Sequence, residues 1–565
     1  MSVNTDYGKY SFSTDQWIAA PKDPADLYTR MAYVRENHWK LTHLLNYNQT
    51  FYKHDIGMLL GFEEERFVKR TTDTAKLGLI DSSVGDPSSA TTPSSIGGTG
   101  EEFTSRSYFG RINYAFDSRY LFEVNMRYDG SSRFAPDNRW GLFPSFSAGW
   151  RISEERLMKG LPIDNLKLRA SWGKLGNNAI GNYEWQAVYN SAKYAFGGSL
   201  NNGLAITSIS NNLLEWESTA ITNIGIDFAT LRNRLTFEAE FYNKVTDGIL
   251  YRPDMYMSLG TASGPRQNIA EVTNRGIEMT LNWQDRIGKV EYRVSGNFAY
   301  NQNKVSKYKG ELQRGWVTDE NGNRIYQTNI GDVSTGGSTR VIEGKMINEY
   351  YMLQPYKGNG NGFNADGTVN INGGPRDGMI RTVDDMKWLN AMVGAGYKFY
   401  PRQNVSKSGI WYGDYIYADL NGDGVYGNDA DNEFQGCSNV PKYNFGLQAS
   451  ANWKGFDFSM NWSGAAGFKI YYYRLALNSS ATIKGYAIGE AIANDHYFFD
   501  PKNPNDPRTN LSSKNPRLTN NSGNDQSGMT QSSVHLQKGD YIKLKNLTIG
   551  YTLPAVLSKK VYAQN

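Results

Sequence analysis

Between Tyr108 and Tyr128 the chain alternates with a period of two, and this limits what it can fold into. Tyr108, Gly110, Ile112, Tyr114 and Phe116 share one face of an extended strand, with Arg111 and Asn113 on the other. After Asp117-Ser118-Arg119 the pattern resumes: Tyr120, Phe122, Val124, Met126 and Tyr128 oppose Glu123, Asn125 and Arg127. Side chains alternate across a strand, so the segment reads as a hairpin with one apolar and one charged face. Each arm runs about nine residues, the length of a tilted strand that crosses a bilayer.

The same pattern recurs along the chain. Phe146, Ala148, Trp150 and Ile152 repeat it, as do Leu166 to Trp172, Ile224 to Phe228 and Leu235 to Phe241. Ile277 to Trp283, Tyr292 to Tyr300, Tyr443 to Trp453 and Phe456 to Trp462 continue it. None of these apolar faces carries a charge. A cation at the midplane of a lipid-facing strand costs about 2–4 kcal/mol, which accounts for the exclusion. The expected fold is all-β, an antiparallel up-and-down transmembrane barrel. A soluble double-sheet protein also alternates, but its strands are shorter and its apolar faces must meet each other.

The links alternate in length. Short ones are expected at Asn48–Asp55, Asp117–Arg119, Ser153–Asn165, Ala229–Arg234, Gln284–Glu291 and Lys454-Gly455. Longer ones are expected at 63–107, 129–143, 173–223, 242–276, 301–442 and 463–546. Barrels of the outer membrane have short periplasmic turns and long external loops. Residues 1–38 read as a lead-in, a barrel strand or a loop, and 39–565 as the barrel region. Glycine-rich stretches such as Lys357–Gly362 and Ser94–Gly100 read as surface turns.

Composition agrees with a barrel. The mean hydropathy of −0.59 and the lack of a long apolar run exclude membrane helices, not a barrel with a wet interior. With 38 tyrosines, 25 phenylalanines and 13 tryptophans, aromatic belts can be built. A net charge of +4 from 60 basic and 56 acidic residues gives no reason to expect nucleic acid. Cys437 is the one cysteine, so no internal disulfide can form. Met1-Ser2-Val3-Asn4 lacks a leader's basic-then-apolar profile, so the chain reads as a fragment or as one half of a split transporter.

Candidate chemistry is sparse. Asp419-Leu420-Asn421-Gly422-Asp423-Gly424-Val425 matches the first half of an acidic calcium loop, with oxygens at positions 1, 3 and 5 and Gly at 6. Position twelve is Ala430, flanked by Asp429 and Asp431. The expected ligands are therefore Asp419, Asn421, Asp423, Val425, Asp429 and Asp431, against a metal-free turn. The five histidines form no H-E-x-x-H pair, and no phosphate loop or serine elbow occurs. No enzyme activity is expected. Trp316, Tyr350, Tyr351, Trp411, Tyr412, Tyr415 and Tyr417 could stack on cargo, or fix loops to one another. Strand parity assigns Arg111, Glu123, Arg127, Arg169, Glu238, Glu240 and Arg293 to the lumen.

Longer blocks carry a resemblance. Ser107 to Tyr114 (SYFGRINY), Arg127 to Phe134 (RYDGSSRF), Asn138 to Gly141 (NRWG) and Phe143 to Ser145 come first. Ser147 to Glu155 (SAGWRISEE), Leu168 to Gly173 and Gly176-Asn177 follow. Glu271 to Met279 (EVTNRGIEM), Asp419 to Val425, Asn515 to Thr519 (NPRLT) and Gly539 to Pro554 (GDYIKLKNLTIGYTLP) complete the set. From Trp39 onward the chain resembles the SusC/RagA family of TonB-dependent outer-membrane transporters. The resemblance implies part of a 22-stranded barrel, with a plug domain that has no counterpart here. It implies import of oligosaccharides or peptides, a SusD-like lipoprotein partner, and TonB acting only through the plug. Two other readings stay open: a surface carbohydrate-binding β-protein or adhesin, and an outer-membrane hydrolase.

Overall fold

The computed structural model describes residues 2–8, 10–12, 19–21, 28–79, 86–251, 265–308, 312–318, 324–331, 343–400, 404–471, 490–518 and 532–554. Fourteen strands are hydrogen-bonded in sequence order in one sheet. They are β1 (Ser2–Gly8), β2 (Tyr28–Phe51), β3 (His54–Leu79), β4 (Ala90–Phe116), β5 (Tyr120–Ser131), β6 (Trp140–Arg151) and β7 (Ile163–Asn177), followed by β8 (Glu217–Thr230), β9 (Leu235–Tyr251), β10 (Gln267–Ile287), β11 (Val290–Tyr308), β12 (Tyr443–Trp453), β13 (Phe456–Ala466) and β14 (Tyr541–Tyr551). Each of the ten alternating segments falls on a strand of this sheet, and β1, β2, β3 and β14 complete it. By its contacts the chain divides into Met1–Glu155, Arg169–Thr222 and Thr246–Asn268 as one unit, and Arg156–Leu168, Asn223–Val245 and Ile269–Asn565 as the other.

In the first unit the apolar faces are not covered by protein. Phe122, Val124 and Met126 are 51, 37 and 50 % exposed. Ile112 faces Val124, which in turn faces Phe146, so the exposed side chains form a continuous band across β4, β5 and β6. Soluble monomers rarely expose contiguous apolar area on this scale. Aromatic rows bound the band. Towards the long links, Tyr108 lies 5.4 Å from Phe62 and 6.2 Å from Trp140, and Tyr128 lies 4.8 Å from Trp140. Towards the short links, Phe116 lies 4.9 Å from His54 and 6.4 Å from Tyr120, itself 6.5 Å from Trp150. Eight residues separate Tyr108 from Phe116, or about 20 Å of thickness at the usual strand rise and tilt. That is close to the height of a barrel's lipid band. Gly130 makes room for the outer row, because a Cβ there would come within 2.9 Å of the Trp140 ring.

The second unit repeats the arrangement. Phe456 stacks 6.2 Å from Trp453 and 4.4 Å from Tyr551 at the short-link end, and Tyr443 lies 5.3 Å from Tyr300 at the other.

Several expected loops are shorter than the sequence suggested. The 63–107 loop is mostly strand: β3 runs to Leu79 and β4 starts at Ala90, so Ser94–Gly100 is strand, not turn. Beyond the lipid band both faces are polar, so no alternation marked these extensions. For the same reason β2 starts at Tyr28, inside the supposed lead-in. The 173–223 link holds a hairpin, Val188–Phe196 with Ser199–Ser208. The 242–276 link shrinks to the residues between Tyr251 and Gln267.

The 301–442 and 463–546 links are not structureless either. Together they build a module with its own core, in which Trp388, Leu389 and Met392 of helix α1 (Val383–Gly394) pack with Met379, Ile380, Phe399, Ile410, Ile416, Tyr417 and Tyr497. A capping box starts α1: Thr382 accepts from the Asp385 amide at 3.1 Å, and the Asp385 carboxylate accepts from the Thr382 amide at 2.9 Å.

Candidate functional site

The polar face of the first unit is a set of tethered charges. Arg127 pairs with Asp129 at 2.7 Å and donates to Ser107 at 2.9 Å, with Glu63 3.5 Å away and the Phe109 ring 5.0 Å beneath its guanidinium. Glu123 accepts from Asn125 at 2.7 Å. Arg111 shares this face, and Arg169 is also engaged. In the second unit Arg293 donates to Gln284 at 2.8 Å and, with Ser295, Gln448, Ser450, Ser459 and Asn461, lines a cavity of about 230 Å³. Glu240 is engaged, and Glu238 is exposed on β9.

The loop module closes around a buried ion pair. Arg517 meets Asp414 through two parallel bonds, Nε to Oδ1 at 2.8 Å and Nη2 to Oδ2 at 2.9 Å, and the Asp414 side chain is only 3 % exposed. Arg517 also donates to the carbonyls of Lys407 and Gly409. Bidentate arginine–carboxylate pairs are among the stronger hydrogen-bonded contacts. Burial pushes the Asp414 carboxyl up and Arg517 opposes it. Arg381 ties the same two segments by donating to the carbonyls of Leu511 and Ser513 at 2.6 and 2.7 Å. Gly413 lets them approach: its φ is +87°, and a Cβ would lie 2.4 Å from the Tyr497 ring.

This core engages most of the aromatics expected to stack on cargo. Tyr350, Tyr351, Tyr412, Tyr415 and Tyr417 are buried. Tyr415 donates to the Lys514 carbonyl at 2.7 Å, and Tyr351 stacks 4.8 Å from Phe434. Their burial favours the alternative in which they fix loops to one another. Burial lifts the Tyr415 hydroxyl to about 12. The Trp316 side chain lies outside the described residues. Trp411 is half-buried and, with Tyr412, lines a cleft of about 880 Å³ also bordered by Lys407, His496, Phe499 and Arg508. No sequence pattern marks this cleft, whose walls lie some ninety residues apart.

The acidic loop is tightly folded. Asp419 accepts from the Gly422 and Gly424 amides at 2.7 and 2.9 Å, and Asp423 from the Val425 amide at 2.8 Å. Asp431 accepts from the amides of Leu420, Asn421, Gly427 and Asn428, and burial pushes it up to about 6. Asp429 is exposed in a 3-10 turn. Among the described residues, no three His, Cys, Asp or Glu groups gather as metal ligands.

Residues 1–553 match the family described as TonB dependent receptor-like, beta-barrel. The chain belongs to that family. TonB-dependent receptor P39 of Formosa agariphila is 29 % identical over 534 residues, covering 91 % of this chain and 46 % of that protein. TonB-dependent receptor SusC of Bacteroides thetaiotaomicron is 27 % identical over 467 residues, covering 81 % and 38 %. The RagAB peptide transporter shares the fold, with a TM-score of 0.69 at 20 % identity over 94 % of this chain and 50 % of that one. The resemblance to SusC and RagA in the sequence blocks is thus a family relationship, and the protein is a β-barrel of the outer membrane. The chain spans less than half the length of these curated relatives.

Proposed function

We propose that this chain forms barrel wall and outer loops of an importer of oligosaccharides or peptides, working with a SusD-like surface lipoprotein. Coupling to TonB is assigned to a plug segment outside these residues, and no catalytic step to the wall. The observation that carries this reading is the exposed apolar band bounded by two aromatic rows; the loop module contributes a cleft of its own. Clefts of several hundred Å³ with a few convergent polar groups suit small ligands. Trp411 is the candidate stacking residue there, with the Lys407 and Arg508 side chains and Asn510 at the rim. Trp411→Ala is expected to weaken cargo binding about ten-fold, or about 1.4 kcal/mol. Calorimetry of the detergent-solubilised chain against glycan and peptide panels would measure this. Unchanged affinity for a bound cargo would remove the cleft from the proposal.

We also propose a structural calcium ion in the acidic loop, held by Asp419, Asn421 and Asp423 with the Val425 carbonyl. Each carboxylate oxygen has two lone pairs; both Asp419 oxygens and Asp423 Oδ1 take one backbone donor each and keep a lone pair for a cation, whereas Asp423 Oδ2 already accepts from the Asn421 and Asn428 side chains. Asp431 is left out, because its oxygens already serve four amides. Calcium titration should give one site that Asp423→Ala abolishes. Absence of binding in the parent, or equal binding in the variant, would leave a metal-free turn.

A further inference from the structure

Outward of the first unit's aromatic row, one face of the sheet carries more positive charge than it can pair. It is the face that presents Trp39, Phe62 and Tyr108, and so the one that meets lipid lower down. Within Arg35–Trp39, Phe62–Arg70 and Gly100–Tyr108, parity puts Arg35, Arg66, Arg70 and Arg106 on this face against Glu64 and Glu102. Both glutamates are taken: Arg106 holds Glu64 at 3.1 Å and Arg66 holds Glu102 at 2.9 Å. The remaining two arginines stand directly opposite each other in the register of β2 and β3. Both are exposed, and among the described residues neither has a carboxylate partner. Like charges directly opposite across a strand pair are destabilising, so the pair has value only if an anion joins it. Gly100 adds room, since a Cβ there would collide with the Arg70 guanidinium. Arg35 lies four residues outward of Trp39, about 10 Å along the membrane normal at the usual rise and tilt. Headgroup phosphates lie at about that height.

We propose that Arg35 and Arg70 clamp a phosphate of an anionic outer-leaflet lipid. Guanidinium forks match phosphate oxygens in pairs, and the lipid faces the sheet from the side these residues occupy. The proposal rests on reading the apolar band as lipid-facing.

The test uses the full chain in phosphatidylcholine nanodiscs, plain or doped with a phosphorylated glycolipid or its dephosphorylated form, with bound lipid counted by native mass spectrometry. Arg35→Gln or Arg70→Gln should each weaken phosphorylated-lipid retention about five-fold, and the double variant about 25-fold. Arg30→Gln, which breaks a 2.7 Å pair with Asp73 on the other face, should change nothing. The site is overturned if the double variant keeps the lipid, if the dephosphorylated lipid binds as well, or if inorganic phosphate alone binds as tightly. Failure of the parent to insert in plain phosphatidylcholine would instead overturn the barrel reading beneath it.

Discussion

Val124→Arg is expected to cost about 2–4 kcal/mol of stability in a bilayer, the range for a cation at the midplane of a lipid-facing strand. Val124 lies halfway between Tyr120 and Tyr128, and its register partner Ile112 lies halfway between Tyr108 and Phe116. Both positions therefore mark the middle of the apolar band. The matched control is Asn113→Arg, one residue along on the polar face and opposite Glu123, where a change within about 0.5 kcal/mol is expected. Urea titrations of the chain folded into vesicles, followed by tryptophan emission, would compare the two. Equal costs would mean that protein rather than hydrocarbon covers the band.

Arg517→Ala should cost the loop module about 3–5 kcal/mol, because it strands a buried carboxylate. In the parent, burial raises Asp414 while the guanidinium opposes it; the variant keeps only the burial. An acid whose folded pKa exceeds its unfolded value binds more protons when folded. Its contribution is full at low pH and lost as pH rises. The variant should therefore regain protection as the buffer is acidified. Hydrogen exchange at the Trp388 and Leu389 amides of α1 reports on this core. Adding Asp414→Asn should recover most of the loss, because it removes the charge and keeps an oxygen for the Trp411 amide, which Asp414 accepts at 2.8 Å. Loss of protection that is the same at every pH would show that Arg517 acts by packing alone.

The barrel was legible in the sequence because lipid imposes one simple rule. Every other residue from Tyr108 to Phe116 meets hydrocarbon, and a period of two follows without reference to any distant residue. The rule ends where the lipid does, which is why the outer parts of β3 and β4 look like loop in the sequence. The module was illegible for the opposite reason. Arg517 stood in a recognised block, Asn515 to Thr519, yet nothing near it in sequence names Asp414 as its partner 103 residues away. The loop tyrosines leave two readings open because an aromatic between glycines looks the same whether it packs inward or faces solvent. The Asp419–Val425 spacing did predict a tight acidic turn, and the amide bonds to Asp419 and Asp423 show how that turn is held.

The outer module draws its halves from segments interrupted by β12 and β13. Its first half, including α1, is synthesised and exported before the residues that seal it. Loop closure over such a span is slow. Until the second segment arrives with Tyr497 and Arg517, the apolar face of α1 and the Asp414 carboxylate both lack the cover that the finished module gives them.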